Sequence, residues 1–106
     1  CSVRRQRQMC IRDSFHLKDS LSKDQIKAFE AGLDSLRNIK ANSACYIGTV
    51  AETKDRPIVR SDYSYNLTLL FEDIEAHNAY QVDPLHKAFV AEFSPLWERL
   101  EIIDSD

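Results

Sequence analysis

The chain has 106 residues, 43% of them apolar and 29% charged, a size and balance that fit one globular domain with a single core. No run of about 18 apolar residues is present, so a membrane-spanning helix is excluded. Residues 1–14 carry four Arg against one Asp, whereas residues 15–106 carry ten Lys or Arg against sixteen Asp or Glu, and an acidic body is a poor match for phosphate backbones, so no nucleic-acid partner is expected.

The head "CSVRRQRQMCIRDS" differs from the rest of the chain. Its first eight residues lack periodicity, and "RQRQMCIRDS" resembles translated sequencing-adapter read-through. Residues 1–14 are therefore read as a non-native or disordered head, with a basic arm as the alternative, and residues 15–106 as the domain. From Met9 to Leu17, however, the odd positions run Met, Ile, Asp, Phe, Leu, a strand alternation that places Asp13 on the apolar face. A carboxylate buried there without a partner is costly, which favours a non-native junction as the simpler explanation; if it belongs to the native chain it is a base with a raised pKa.

"FHLK" finishes that strand and "DSLS" breaks it. Ser22 followed by Gln25 matches a capping box, and Ile26, Phe29, Leu33 and Leu36 share one helical face, which predicts an amphipathic helix over 22–37. Gly32 weakens that helix modestly and permits close packing. Residues 43–50, "SACYIGTV", are apolar on both parities and predict a strand covered on two sides. A charged loop over 51–61 leads into "DYSYNLTLLF", where Tyr63, Tyr65, Leu67, Leu69 and Phe71 alternate with polar residues as in a half-buried strand. "EDIEAHNAYQV" reads as a short helix. Asp83 then caps another, with Pro84 at its first position, where a missing amide costs nothing. Leu85, Phe89 and Phe93 form its apolar stripe, Pro95 ends it, and "RLEIIDSD" closes the chain as a strand.

The order β-α-β-β-α-α-β predicts an α+β, ferredoxin-like fold: a four-stranded antiparallel sheet with helices on one face. A chain this small gains stability by pairing, so a homodimer is expected. Three cysteines without CxxC spacing, and no secretory signal, read as reduced thiols in a cytoplasmic setting. His16, His77 and His86 lack zinc spacing, and two glycines allow no phosphate-binding loop, so neither metal nor cofactor is expected.

Three segments, "FHLKDSLSKDQIKAFEAGLDSL", "YNLTLLFEDIEAHNAYQVDPLHKAFVAEFSPLWERL" and the closing "IID", resemble the stress-responsive dimeric α/β-barrel (Dabb) family, most specifically in "AYQVDPLHKAFV". The resemblance implies that two ferredoxin-like protomers pair their sheets into a shared barrel. In the family's plant polyketide cyclase, olivetolic acid cyclase, a tyrosine and a histidine close a linear polyketide by aldol condensation without a cofactor. That pair falls by resemblance on Tyr80 and His86. Two further histidines of the cyclase fall on Ile11 and Asp83, so half of that set is replaced in type.

The resemblance and the residues together give His86 as the base and Tyr80 as the donor to a carbonyl oxygen. Phe29, Leu33, Tyr65, Phe89 and Trp97 are the expected walls of a pocket for a small apolar or aromatic carbonyl ligand. The plainer reading makes Tyr80 a core-edge residue and His86 an exposed first-turn residue. Two functions follow: a stress-responsive homodimer of unassigned activity with a small apolar pocket, or a cofactor-independent lyase or cyclase. With Asp83 as N-cap, the helix dipole disfavours an imidazolium at His86 while the Asp83 carboxylate favours it, so the direction of its pKa shift stays open.

Overall fold

A computed structural model describes residues 8–53, 57–58 and 62–105. The elements follow in the expected order: β1 (Met9–Leu17), α1 (Lys23–Ser35), β2 (Ala44–Gly48), β3 (Tyr65–Phe71), α2 (Ile74–Val82), α3 (Pro84–Phe93) and β4 (Trp97–Ser105). The strands form one sheet in the order β2-β3-β1-β4, antiparallel throughout. β1 is thus a central strand, hydrogen-bonded on both edges, and its registers set Asp13 between Leu67 of β3 and Ile102 of β4.

Alternation decides the faces. Met9, Ile11, Asp13 and Phe15 of β1 and Leu67, Leu69 and Phe71 of β3 are all buried, on the face that meets the helices. Phe29 and Leu33 of α1, Tyr80 of α2, and Phe89 and Phe93 of α3 complete the same core. Phe29 is its hub: its ring lies 5.3 Å from Phe15, 5.8 Å from both Phe89 and Phe93, and 5.5 Å from Tyr65, largely in the tilted and edge-on arrangements that aromatic quadrupoles favour. Gly32 belongs to this contact, because a methyl group there would run into the ring of Phe93, so the glycine lets that ring of α3 lie against α1.

The helix starts follow their caps. The Ser22 hydroxyl accepts from the Gln25 amide at 3.1 Å, and the Gln25 side chain accepts from the Ser22 amide at 2.8 Å, a complete capping box. α1 stops at Ser35, two residues short of its expected end, and continues as a 3₁₀ turn over Leu36–Asn38. There the Asn42 side chain donates to the carbonyls of Leu36 and Ile39, satisfying groups that a helix end leaves open.

Within the protomer β2 is covered on one side: Cys45 faces the core, while Tyr46 is 61% exposed on the opposite face, where the paired sheets implied by the resemblance would put a partner. Its double apolar parity therefore reflects one covered face and one open one within the protomer. Cys45 is a free thiol, but Cys10 is disulfide-bonded, contrary to a fully reduced set. The open face of the sheet carries Arg12, Ser14, Tyr46, Asn66, Thr68 and Ile103, all exposed or half-buried. Among the described residues, no helix is long and apolar enough to cross a membrane.

Candidate functional site

The site begins at a single residue shared by two helices. Asp83 ends α2, where its amide donates to the Tyr80 carbonyl at 3.2 Å, and starts α3, where its carboxylate accepts from the Leu85 amide at 2.8 Å. Pro84 at the first position of α3 holds the chain in helical φ without wasting an amide. The result is a sharp turn between the helices. It brings the last turn of α2 and the first turn of α3 together, so that the Tyr80 and His86 rings lie 4.5 Å apart, tilted by 47°.

Both side chains line a pocket of about 240 Å³ between the helices and the sheet. Its floor comes from Ile11, Asp13 and Phe15 of β1 and Leu67 of β3, its sides from Leu36, Phe89, Val90, Trp97, Leu100 and Ile102. Of the five expected walls, Phe89 and Trp97 line it. Phe29 and Leu33 lie behind it in the core, fully buried, and Tyr65 packs on Phe29 away from the pocket, its phenol pushed up to about 12 chiefly by burial and then by its hydrogen bond to Glu30. Ile11, Leu36 and Leu67 escaped sequence reasoning, because parity and helical stripes identify a face but not its depth. Sequence parity did place Asp13 on the core face.

Polar groups in this pocket are few and poorly partnered. The Tyr80 hydroxyl and one oxygen of the Asp13 carboxyl are buried and have no hydrogen-bond partner. Such groups cost free energy unless something else satisfies them. Burial pushes the Asp13 carboxyl up to about 7, and the like charge of Asp104 on β4 adds to the rise. Burial also raises the Tyr80 phenol, with Asp13, Cys45 and Asp83 adding their negative charge, so the phenol remains a donor at any ordinary pH.

His86 is signed by the structure. Burial pulls its pKa below the ordinary value, outweighing the Gln81 carbonyl and the Asp83 carboxylate, which act the other way. Its Nδ1 lies 3.3 Å from the Gln81 carbonyl oxygen, in the last turn of α2. A carbonyl only accepts, so Nδ1 carries the proton, and the neutral ring keeps its lone pair on Nε2. The pair is therefore a buried donor beside a neutral imidazole with a free accepting nitrogen.

The other histidines belong elsewhere. His16 is buried on the opposite face, where its ring nitrogens meet the Asp62 carbonyl at 3.0 Å and Glu101 at 2.9 Å, close to Arg99. His77 bonds to Asn78 and Gln81 on α2. Among the described residues no group of three His, Cys, Asp or Glu side chains is placed to hold a metal ion.

The model of the stress-responsive A/B barrel domain (Dabb) matches residues 14–106. The chain belongs to the Dabb family. No curated protein matches its sequence. Among solved structures, a Dabb family protein from Mesorhizobium loti is similar over 93% of this chain and 95% of its own, at 23% identity and a TM-score of 0.75. A hydroxynitrile lyase from Passiflora edulis is similar over 92% and 91%, at 20% identity and a TM-score of 0.76. A dimeric ferredoxin-like protein of unknown function from Thermobifida fusca is similar over 95% and 92%, at 18% identity and a TM-score of 0.76. At these identities the likeness establishes the ferredoxin-like fold of this Dabb chain.

The Asp13 carboxyl gives a direct prediction. The folded chain holds its proton to about pH 7, whereas the ordinary value is 3.8, so between those limits the folded state binds more protons and stability falls as pH rises. The gap corresponds to about 4 kcal/mol when fully expressed. Denaturant unfolding at pH 4.5 and 7.5 should show Asp13→Leu gaining stability over the wild type by roughly 2–4 kcal/mol more at the higher pH. Parallel curves at the two pH values would show that the carboxyl is solvated.

Proposed function

We propose that this Dabb chain works as a homodimer and that its pocket is the site of a cofactor-independent lyase or cyclase acting on a small, apolar or aromatic carbonyl compound. The observation that carries the catalytic half is the pairing of Tyr80, whose buried hydroxyl has no partner, with His86, whose Nε2 is left as the ring's acceptor. In this reading Nε2 takes a proton from the carbon next to the substrate carbonyl. The electron pair moves onto the oxygen as an enolate, which accepts a hydrogen bond from the Tyr80 phenol. The nucleophilic carbon then attacks a second carbonyl carbon, and the imidazolium returns its proton to the new alkoxide. Run backwards, the same steps cleave a carbon–carbon bond beside a carbonyl. The apolar walls exclude water, which strengthens the phenol–enolate contact. That a structural neighbour in Passiflora edulis is a lyase is in keeping with this chemistry on this fold.

The smallest probe of the first step is acetophenone in D₂O. Its methyl protons exchange for deuterium only when a base removes them, and NMR follows the loss. Exchange above the buffer rate is expected with the wild type, falling at least tenfold in Tyr80→Phe and further in His86→Ala. Exchange no faster than in buffer, or equal in all three proteins, would refute the catalytic reading and leave a binding or stress-protection module.

The dimer is supported by the open face of the sheet, where Tyr46 and Ile103 are 61% and 62% exposed, and by the dimeric state named for the Thermobifida fusca neighbour. Sedimentation should give twice the 12.2 kDa chain mass, with Tyr46→Glu shifting the protein toward monomer. A monomer at micromolar concentration would contradict it.

A further inference from the structure

The Tyr80–His86 pair leaves one group of the pocket without a task. Asp13 sits on the central strand, flanked by Leu67 and Ile102, with apolar side chains around it and one carboxyl oxygen buried without any partner. It is 91% buried and lines the same cavity as the unpartnered Tyr80 hydroxyl. No hydrogen bond joins the two. An apolar residue at this position would fill the sheet face at no electrostatic cost, so the carboxyl costs the fold stability that nothing inside the protomer's described residues returns.

The geometry points to Asp13 as the specificity-determining contact of the pocket: its carboxyl accepts a hydrogen bond from a hydroxyl of the ligand, while Tyr80 donates to the ligand's carbonyl, so that the ligand class is a small aromatic hydroxy-ketone or hydroxy-aldehyde. The inference deepens the proposed carbonyl chemistry and rests on the pocket being a ligand site.

Each half of that class follows from a donor–acceptor count. The Tyr80 phenol keeps its proton, because burial and the neighbouring negative charges raise its pKa, and it thus calls for an acceptor. A carboxyl offers an accepting oxygen whether or not it is ionised, so a hydroxyl donor suits Asp13 in either state. A ligand with only a carbonyl would satisfy Tyr80 and leave Asp13 buried and unpaired, the situation in which polar sites discriminate most strongly. The rings of Phe15, Phe89 and Trp97 stand 5.1 to 6.1 Å from one another, a wall suited to a flat aromatic body. The pocket's 240 Å³ limits that body to a single substituted ring, since drug-sized ligands occupy cavities of about 300–1,000 Å³.

The test uses acetophenone, its 2′-, 3′- and 4′-hydroxy isomers and the matching methoxy compounds, with affinities from calorimetry and protein NMR shifts. At least one hydroxy isomer should bind the wild type about tenfold or more tightly than acetophenone, and its methoxy counterpart should lose that gain. Asp13→Leu should reduce the hydroxyl preference to within about twofold, and Asp13→Asn, which keeps an accepting oxygen, should retain part of it. The methoxy comparison needs only the wild type, so it decides even if a variant fails to fold. Equal binding of ketone, hydroxy-ketone and methoxy-ketone would overturn the role of Asp13 while leaving the pocket a carbonyl site. Binding of none of them, with no shift at Tyr80, His86 or Trp97, would overturn this inference and the site itself.

Discussion

The site depends on the Asp83–Pro84 junction. One residue serves two helices, ending α2 through its backbone and starting α3 through its carboxylate. Because the two helices meet with no residue between them other than Asp83, the direction change is tight and Tyr80 and His86, six residues apart, become ring neighbours. The His86 ring then donates to the Gln81 carbonyl of the helix it has just left, which fixes its tautomer. Capping, a matter of satisfying backbone groups at helix ends, thus also sets which nitrogen is free for chemistry.

Desolvation is the second organising effect, and it acts on every titratable group in the pocket in the same sense. It raises Asp13 and Tyr80 and lowers His86, and each change favours the neutral form. A largely apolar cavity holding three titratable groups thereby avoids most of the cost of buried charge. In the proposed reaction, proton transfers would start from a nearly neutral site, in which a developing enolate would meet a donor already in position. The same surroundings make the lone Asp13 expensive, and that expense is what sets this chain's pocket apart from an ordinary core.

Much of this architecture was legible because it rests on local rules. The capping box at Ser22, the cap and proline at Asp83–Pro84, and the alternation through β3 are backbone hydrogen-bonding and parity signals, and the elements they mark form where expected. The alternation from Met9 to Leu17 corresponds to the central strand, although the reading of residues 1–14 as a non-native or disordered head sets Met9–Ser14 apart from the domain. What parity does not report is depth. Phe29 and Leu33 share the face of the pocket yet lie behind it, while Ile11 and Leu36, alike in type, reach it. The two-sided apolar pattern of β2 likewise does not report what covers each side: Cys45 meets the core, while Tyr46 is exposed in the protomer, on the face that the proposed dimer would cover. The sign of the His86 shift was illegible too, because it depends on how much water the ring has lost.

The measurement closest to the central claim is an NMR titration of the three histidine rings in the wild type and in Tyr80→Phe. A half-buried His86 tilted against Tyr80 should titrate below its ordinary 6.5 and move again when the phenol hydroxyl is removed. A His86 that titrates near 6.5 and ignores the substitution would mean that the two rings do not share a protected site, and the pocket built around them would lose its basis.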